Sequence, residues 1–525
     1  MKNSIYLLVA SALALVFQAC SEDDFAGKYP DPSKIGSPTC EKLMTGVFVQ
    51  SNTWITPGQG RYFGWASYVG RFAQVFGYPN TSGMYLPDSY GDPSAHWDDF
   101  YRSLATFRVL QDTYANLSDD KWDDQQSEQA PFLWLAQLFI YHQLTEIIGA
   151  WGDAPYSQAA SLFLTGNIKK SQSDYDTQKD LYRLILQDLA SIDSALAKYN
   201  VERYPSVKSK LALQDYIFKG DLHSWRCFAN ALRLRVALRL SSYGPLQQEA
   251  VALLAKLLTH ENAYPLPSQN LCFYSTSGPD LKWTDLGLND EGRFLGYAAH
   301  AHISRMLDDD DPRLTVTYDP AANGSYVGLD PSKQYDAQRD NGALIRQHYS
   351  SIDSSSFRKD NPKIPAILFS LAEILFIKAE VYHRGIVAGD AESAFKQAVI
   401  ASVLLYWDIN DGGSFRPEPR PDDLGDRAAD FAHARWLAIG DDYTDATEAI
   451  ATQKWLHFGF LQEFEAWCEV RRTGLPRLSF AVDAGSLCKN VPKRLKYPDN
   501  ERLYNPHCPP VDEDKWENPL LWARP

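Results

Sequence analysis

Positive charge is scarce in this chain. Asp and Glu outnumber Lys and Arg, 66 against 51, for a formal net charge of −15. A protein that grips a phosphate backbone needs clustered Lys and Arg, and adhesion to anionic lipid headgroups needs the same. Neither partner fits. An acidic surface favours neutral or cationic ligands without choosing among them. No Cys-x-x-Cys pair occurs among the seven cysteines, which removes zinc ribbons and thioredoxin-type centres. Also missing are a Gly-x-Ser-x-Gly elbow, a His-Glu-x-x-His helix and a phosphate-binding glycine loop. Acid pairs are present at Asp98 and Asp99, Asp119 and Asp120, and Asp123 and Asp124. Glycosidase carboxylates must face one another across a cleft, and sequence neighbours point apart. His300 and His302 have no third ligand nearby, so no zinc site is indicated. The acidic run at 308–311 lacks the spaced Asp, Asn and Gly of a calcium loop and reads as a solvated turn. No catalytic residue, metal or cofactor is therefore expected, and the chain reads as a binder.

Long apolar runs are absent beyond the first twenty residues. The one near the start, I-Y-L-L-V-A-S-A-L-A-L-V-F at 5–17, is too short for a spanning helix, which needs about 20 residues. Lys2 precedes it and Gln18-Ala19-Cys20 follows, the pattern of a secretory signal peptide. With Cys at the cut the segment reads as a lipobox: residues 1–19 are removed and Cys20 carries the lipid. An ordinary secreted chain with a chance Cys there shares the other features. The lipid at Cys20 is then the expected membrane contact. Residues 20–40, acidic from Glu22 to Asp24, read as a linker, since acidic polar stretches commonly stay disordered. Six further cysteines remain, and an extracytoplasmic chain is permitted disulfides. Cys488 and Cys508, in a loop-rich tail, are the expected pair. Cys227 and Cys468, on apolar helix faces, are expected to be buried thiols. Cys40 and Cys272 carry no assignment.

Helical periodicity fills most of the rest. Apolar residues recur at helical spacing over 128–149, 176–198, 224–241, 366–384, 390–405 and 445–472, with another helix from Pro245 to about His260. Ala391, Ala394, Ala398 and Ala401 let a neighbouring helix approach closely. The expected fold is mainly all-α: degenerate tetratricopeptide-like helical hairpins packed against a loop-rich irregular subdomain. No clean 34-residue repeat is present, and an irregular α-bundle has the same periodicity. Residues 41–525 read as a single domain. Two stretches depart from the helical pattern, 50–100 and 261–360. They are rich in turn residues and aromatics, and loops of such length inside a compact protein are usually functional or disordered.

A series of short motifs then carries a resemblance. These are I-G-A-W-G-D-A-P-Y-S-Q-A at 148–159, K-G-D-L-H-S-W-R-C-F-A-N-A-L-R-L-R-V-A-L-R at 219–239, D-D-P-R-L at 310–314 and A-E-I-L-F-I-K-A-E-V-Y-H-R-G at 372–385. Q-K-W at 453–455, E-A-W-C-E-V-R-R-T-G-L-P at 465–476 and R-L-K-Y-P-D-N-E-R-L-Y-N at 494–505 complete it. In order and spacing they resemble the SusD/RagB family of nutrient-binding outer-membrane lipoproteins of Bacteroidetes, in its Arg-Arg-Thr-Gly branch. The acidic residues behind Cys20 resemble that group's surface-export signal. The resemblance implies a lid on a SusC-like TonB-dependent barrel, facing the cell exterior, that captures an oligosaccharide, or in some members a peptide. The motifs themselves read as scaffold. Trp225, Phe228 and Leu232 share one helical face; Arg471 and Arg472 are expected to pair with acids such as Glu465 or Glu469 or to cap carbonyls; Asp153 reads as a turn or cap residue.

A neutral sugar offers a flat apolar face and a rim of hydroxyls, so its site needs aromatic platforms with polar companions. Two clusters supply them. Trp54, Tyr62, Trp65, Tyr78 and Tyr85 lie among Gly and Pro with Asn80 beside them. Tyr274, Trp283, Asp285 and Arg293 follow in the second irregular stretch. The resemblance places family sites in these two regions without matching them residue by residue. Local packing is the competing role for each aromatic.

Overall fold

The computed structural model describes residues 38–51, 54–58, 61, 68–77, 85–86, 93–120, 123–277, 296–333, 348–358, 360–414 and 416–524. The expected signal peptide, Cys20 and the acidic run behind it lie outside the described residues.

Helices form where the apolar spacing and the caps agree. The chain starts with α1 (Cys40–Ser51) and α2 (Ser94–Ala115). A two-residue ribbon, β1 (Asp119–Asp120) and β2 (Asp123–Asp124), leads into α3 (Gln125–Trp151). Asp124 caps α3 by accepting from the Ser127 amide. Next come α4 (Gln178–Lys198), capped by Thr177, the short α5 (Pro205–Gln214), and α6 (Leu222–Leu240), capped by Asp221. α7 (Gln247–Thr259) ends before an irregular stretch holding β3 (Leu271–Phe273), α8 (His300–Asp308), β4 (Tyr318–Asp319) and β5 (Ser351–Ile352). β6 (Ala366–Phe369) opens the second helical half: α9 (Leu371–His383), α10 (Ala391–Asn410), α11 (Leu424–Leu437), α12 (Ala446–Phe458) and α13 (Glu463–Thr473). Neighbouring helices pack as hairpins, α9 on α10 and α1 on α2 foremost, and the fold is mainly helical as expected.

α6 is the hub. It touches α3, α4, α7, α9 and α13, and every residue from Cys227 to Leu240 is buried. Trp225, Phe228 and Leu232 are fully enclosed, as their spacing predicts. Burying such rings stabilises by about 1.5–3 kcal/mol each. Three arginines on the same helix are buried as well, which apolar spacing alone does not explain.

Those arginines explain the motifs. Arg235 forks onto Glu373 of α9 at 2.6 and 2.7 Å and donates to the Leu368 carbonyl. Arg239 reaches Glu465 of α13 at 2.7 Å. Arg472 holds Glu380 at 2.6 Å and Glu469 at 2.6 Å, while Lys454 of α12 holds Glu469 at 2.9 Å. Arg313 pairs with Asp311 and donates to Ser402 and Gln453. Buried charges persist only when paired and hydrogen-bonded. The L-R-L-R, A-E-x(5)-A-E, Q-K-W and R-R-T-G segments are thus the two sides of one interior network joining α6, α9, α12 and α13. Arg472 takes Glu469 as expected. Arg471 takes the other expected role, capping the carbonyls of Trp467 and Lys493, and stacks on Trp467, 3.3 Å from the ring centroid. Asp153 accepts from the Gln178 amide and so caps α4.

Several expectations need correction. The helix expected over 366–384 begins at Leu371. Its first residues form β6, which pairs antiparallel with β3, and Ser370 caps the helix by accepting from the Glu373 amide at 3.0 Å. Ser-x-x-Glu is a capping signal that the continuous apolar pattern obscured. The helix expected over 445–472 is two, broken at Gly459, whose φ of 44° is left-handed. The acidic run at 308–311 is only half solvated: buried Asp309 pairs with half-buried Arg305 and Arg435, and buried Asp311 with buried Arg313. Cys488 and Cys508 are not bridged, and all six described cysteines are free thiols. Cys488 is buried and donates to the Asn490 carbonyl, whereas Cys508 sits beside Tyr175. Cys227 and Cys468 are buried thiols, as expected.

Candidate functional site

Seven of the ten candidate residues, Tyr62, Trp65, Tyr78, Asn80, Trp283, Asp285 and Arg293, lie outside the described residues. The other three divide sharply. Trp54 is 3% exposed, tilted against His96 at 4.6 Å, with its indole N–H donated to Asp99 at 2.8 Å. Tyr85 is 2% exposed, packs between Phe72 and Phe480, and donates its hydroxyl to the Ala481 carbonyl. Both were expected as platforms. Both are enclosed, with their polar tips satisfied by protein, so neither offers a face to a sugar. Tyr274 is 36% exposed. It follows β3, where strand alternation turns Leu271 and Phe273 inward and leaves Cys272 and Tyr274 on the outer side. Its backbone is held by Ser277, whose carbonyl accepts from Lys219.

The described ends of the two aromatic-rich stretches meet. Gly77 and Tyr297 form an antiparallel bridge, with the Gly77 amide donating to the Tyr297 carbonyl at 2.8 Å. A third strand joins from the other side: Ala298 donates to the Ser350 carbonyl, Ile352 to that of Gly296, and Tyr297 bridges Ser351. Gly77 is required there. A Cβ on it would sit 2.1 Å from the Ala298 carbonyl oxygen. Below, Trp455 donates to the Ala73 carbonyl, and Arg61 forks onto buried Glu463. Gly77, residues 296–298 and residues 350–352 are therefore joined to one another by backbone hydrogen bonds. Sequence reasoning found the segments but missed the residues that join them. Gly77 in F-G-Y-P was the available signal, since an isolated glycine in an extended stretch marks a close backbone approach.

Titratable groups here serve the scaffold. His302 is fully buried, donor or acceptor to the Tyr318 hydroxyl at 2.9 Å, and burial pushes its pKa down to about 3. It is a neutral core histidine. Among the described residues no group of three or more His, Cys, Asp or Glu is placed to hold a metal ion. Asp353 lies beside β5, buried, with its carboxylate accepting from the Ser356 amide and facing Asp319. Burial first, and then the Asp319 charge, push its pKa up to about 7. A carboxyl whose folded pKa lies above its unfolded value of about 3.9 contributes stability that is full below pH 4 and is lost as pH rises through 7. Asp353→Asn removes that titration. Its stability between pH 5 and 8 is expected to fall less steeply than that of the parent, by on the order of 1–3 kcal/mol across the window. Urea melts at each pH measure the difference, and parallel curves would assign the titration elsewhere.

A family described as SusD-like, starch-binding and associating with the outer membrane matches residues 67–498. The chain belongs to the SusD-like family. This is a family of outer-membrane nutrient-binding proteins, and the chain is a binding protein rather than an enzyme. Solved structures share its fold. An outer-membrane protein of Bacteroides vulgatus linked with nutrient binding superposes with a TM-score of 0.70 at 21% identity, over 93% of this chain and 100% of its own. A SusD-like protein of Bacteroides thetaiotaomicron gives 0.66 at 19%, over 92% and 99%. A chitin-binding protein gives 0.64 at 19%, over 91% and 99%. No curated protein sequence matches. Among the described residues no helix is long and apolar enough to cross a membrane. The buried Arg–Glu network thus places the L-R-L-R, A-E-x(5)-A-E, Q-K-W and R-R-T-G motifs in the interior scaffold of the SusD-like fold.

Proposed function

We propose that this SusD-like protein is a cell-surface lipoprotein, anchored through Cys20, that captures an oligosaccharide and delivers it to a SusC-like TonB-dependent outer-membrane barrel. The Gly77–Tyr297 bridge carries the reading. It joins Gly77, just before Tyr78 and Asn80 in the chain, to Tyr297, just after the stretch that carries Trp283, Asp285 and Arg293; Tyr62 and Trp65 precede it in sequence, and Tyr274 is exposed. Those residue types suit a sugar: rings for its apolar face, amide, carboxylate and guanidinium for its hydroxyls. A family described by starch binding, and a chitin-binding structural relative, support a glycan as cargo. A lipid tether beside the transporter raises effective concentration, so modest intrinsic affinity suffices.

Titration calorimetry of the full chain in detergent against starch- and chitin-derived oligosaccharides tests capture. Heat with at least one glycan is expected. No heat with any glycan, together with stable co-purification with a barrel, would leave a lid whose cargo is peptide or is recognised by the barrel. Cys20→Ala is expected to bind the same glycan unchanged in solution and to abolish uptake in cells; normal uptake by that variant would show the anchor to be dispensable.

A further inference from the structure

A groove of about 360 Å³ lies between the first turns of α3 and the link from α4 to α5. None of its lining residues belongs to the loop segments discussed above. Three half-buried rings form its walls: Trp134, Tyr199 and Tyr204. Trp134 meets Tyr199 edge-on at 5.8 Å, and Tyr199 stacks on Tyr204 at 5.7 Å with 25° between planes. The arrangement is fixed. The Tyr199 hydroxyl donates to the Glu128 carbonyl at 2.7 Å, and that of Tyr114, also in the groove, to the Gln126 carbonyl at 2.9 Å. Asn200 spends its carbonyl oxygen on the Glu202 amide, which leaves its NH2 to donate outward.

The rim is cationic in an acidic protein. Lys198 and Arg203 are exposed and line the groove. Among the described residues neither stands in an ion pair, although Lys208 nearby is held by Glu202 at 2.6 Å. The Arg203 guanidinium lies 5.7 Å from the Tyr204 ring centroid, beside the stack. Ligand pockets run from about 300 to 1,000 Å³, mostly apolar with a few placed polar groups. This groove falls at the small end, with room for a short ligand. Flat rings suit a flat apolar face, and two exposed cations outside any ion pair favour negative charge on the edge of that face. Free amide hydrogens add donors for hydroxyls. A sugar ring bearing a carboxylate meets all three requirements.

We propose that this groove is a second binding site, for an acidic sugar of the uronic-acid class, separate from the loops and independent of the reading above. Trigalacturonic acid is the probe, with its methyl ester as the uncharged counterpart, titrated calorimetrically into the full chain in detergent. The acid is expected to bind and the ester to bind about tenfold more weakly. Trp134→Ala is expected to weaken the acid about tenfold. Lys198→Met with Arg203→Met, at exposed positions that the fold does not need, is expected to erase the preference for the acid while leaving the melting temperature unchanged. The proposal is overturned if the acid does not bind, if acid and ester bind alike, or if Trp134→Ala binds as the parent does. Loss of binding in Trp283→Ala with Trp134→Ala unaffected would put the sugar at the loops, overturning this site while keeping the function proposed above. Binding of an acidic aromatic peptide such as Glu-Tyr-Glu without binding of the acid would overturn it too.

Discussion

Arg472→Ala is expected to destabilise the protein by about 3–5 kcal/mol, the usual cost of removing one partner from a buried ion pair. Arg472 is 2% exposed and forks both ways, onto Glu380 and onto Glu469. Removing it leaves two interior carboxylates with weaker cover, Lys454 on Glu469 at 2.9 Å and half-buried Arg384 on Glu380 at 3.4 Å. Burial alone would raise both carboxyl pKa values. In the parent the Arg472 and Lys454 charges outweigh burial and hold both below the ordinary glutamate value. The sign follows. A depressed folded pKa contributes stability that is present above the unfolded pKa of about 4.3 and is lost as pH falls below it. In the alanine variant burial dominates, the glutamates retain protons, and stability falls as pH rises instead. The deficit is therefore expected to be larger at pH 7 than at pH 4. Urea unfolding at both pH values measures it. A loss under about 1 kcal/mol at pH 7, the scale of a surface pair, would mean that water reaches these charges.

The network also shows what the sequence could and could not convey. Apolar spacing marks α3, α4, α6 and α10 within a few residues, because each buries a broad face against neighbours. Arg235, Arg239 and Glu373 break that spacing. Nothing local tells a buried arginine from a solvated one, since its acid lies 138 positions away in the case of Arg235 and Glu373. The same limit governs the rings. Trp54 and Tyr85 sit in turn-rich, aromatic sequence that suits a sugar platform, yet distant groups, Asp99 and the Ala481 carbonyl, claim their polar tips. Trp134, Tyr199 and Tyr204 were hidden for the opposite reason. Each lies on or beside a regular helix, where aromatics read as core, and only the fold shows that the three line an open groove. Gly459 and the Ser370 cap were legible but outweighed by apolar runs spanning two elements.

Gly77→Ala is the variant that separates the site from the scaffold. A Cβ there meets the Ala298 carbonyl oxygen at 2.1 Å, its carbon at 2.6 Å and the Ala299 amide nitrogen at 3.0 Å. All three are backbone atoms, so no side chain can swing aside, and the two segments must part. The expected cost in stability is about 1–3 kcal/mol, the range for an overfilled interior position. The expected cost in glycan affinity is larger relative to its scale. If Tyr78 and Asn80 on one side and Arg293 on the other grip one ligand, separating their stems removes the pre-organisation that positions them, and binding falls at least tenfold, about 1.4 kcal/mol or more. Gly425→Ala is the matching control, since a Cβ there meets nothing within 4 Å and the backbone needs no left-handed conformation. Calorimetry with the bound glycan and a thermal melt on the same samples give both readings. Undiminished affinity in a destabilised Gly77→Ala would show that the two segments bind independently, and that the bridge serves only to fasten the loops to the helices beneath them.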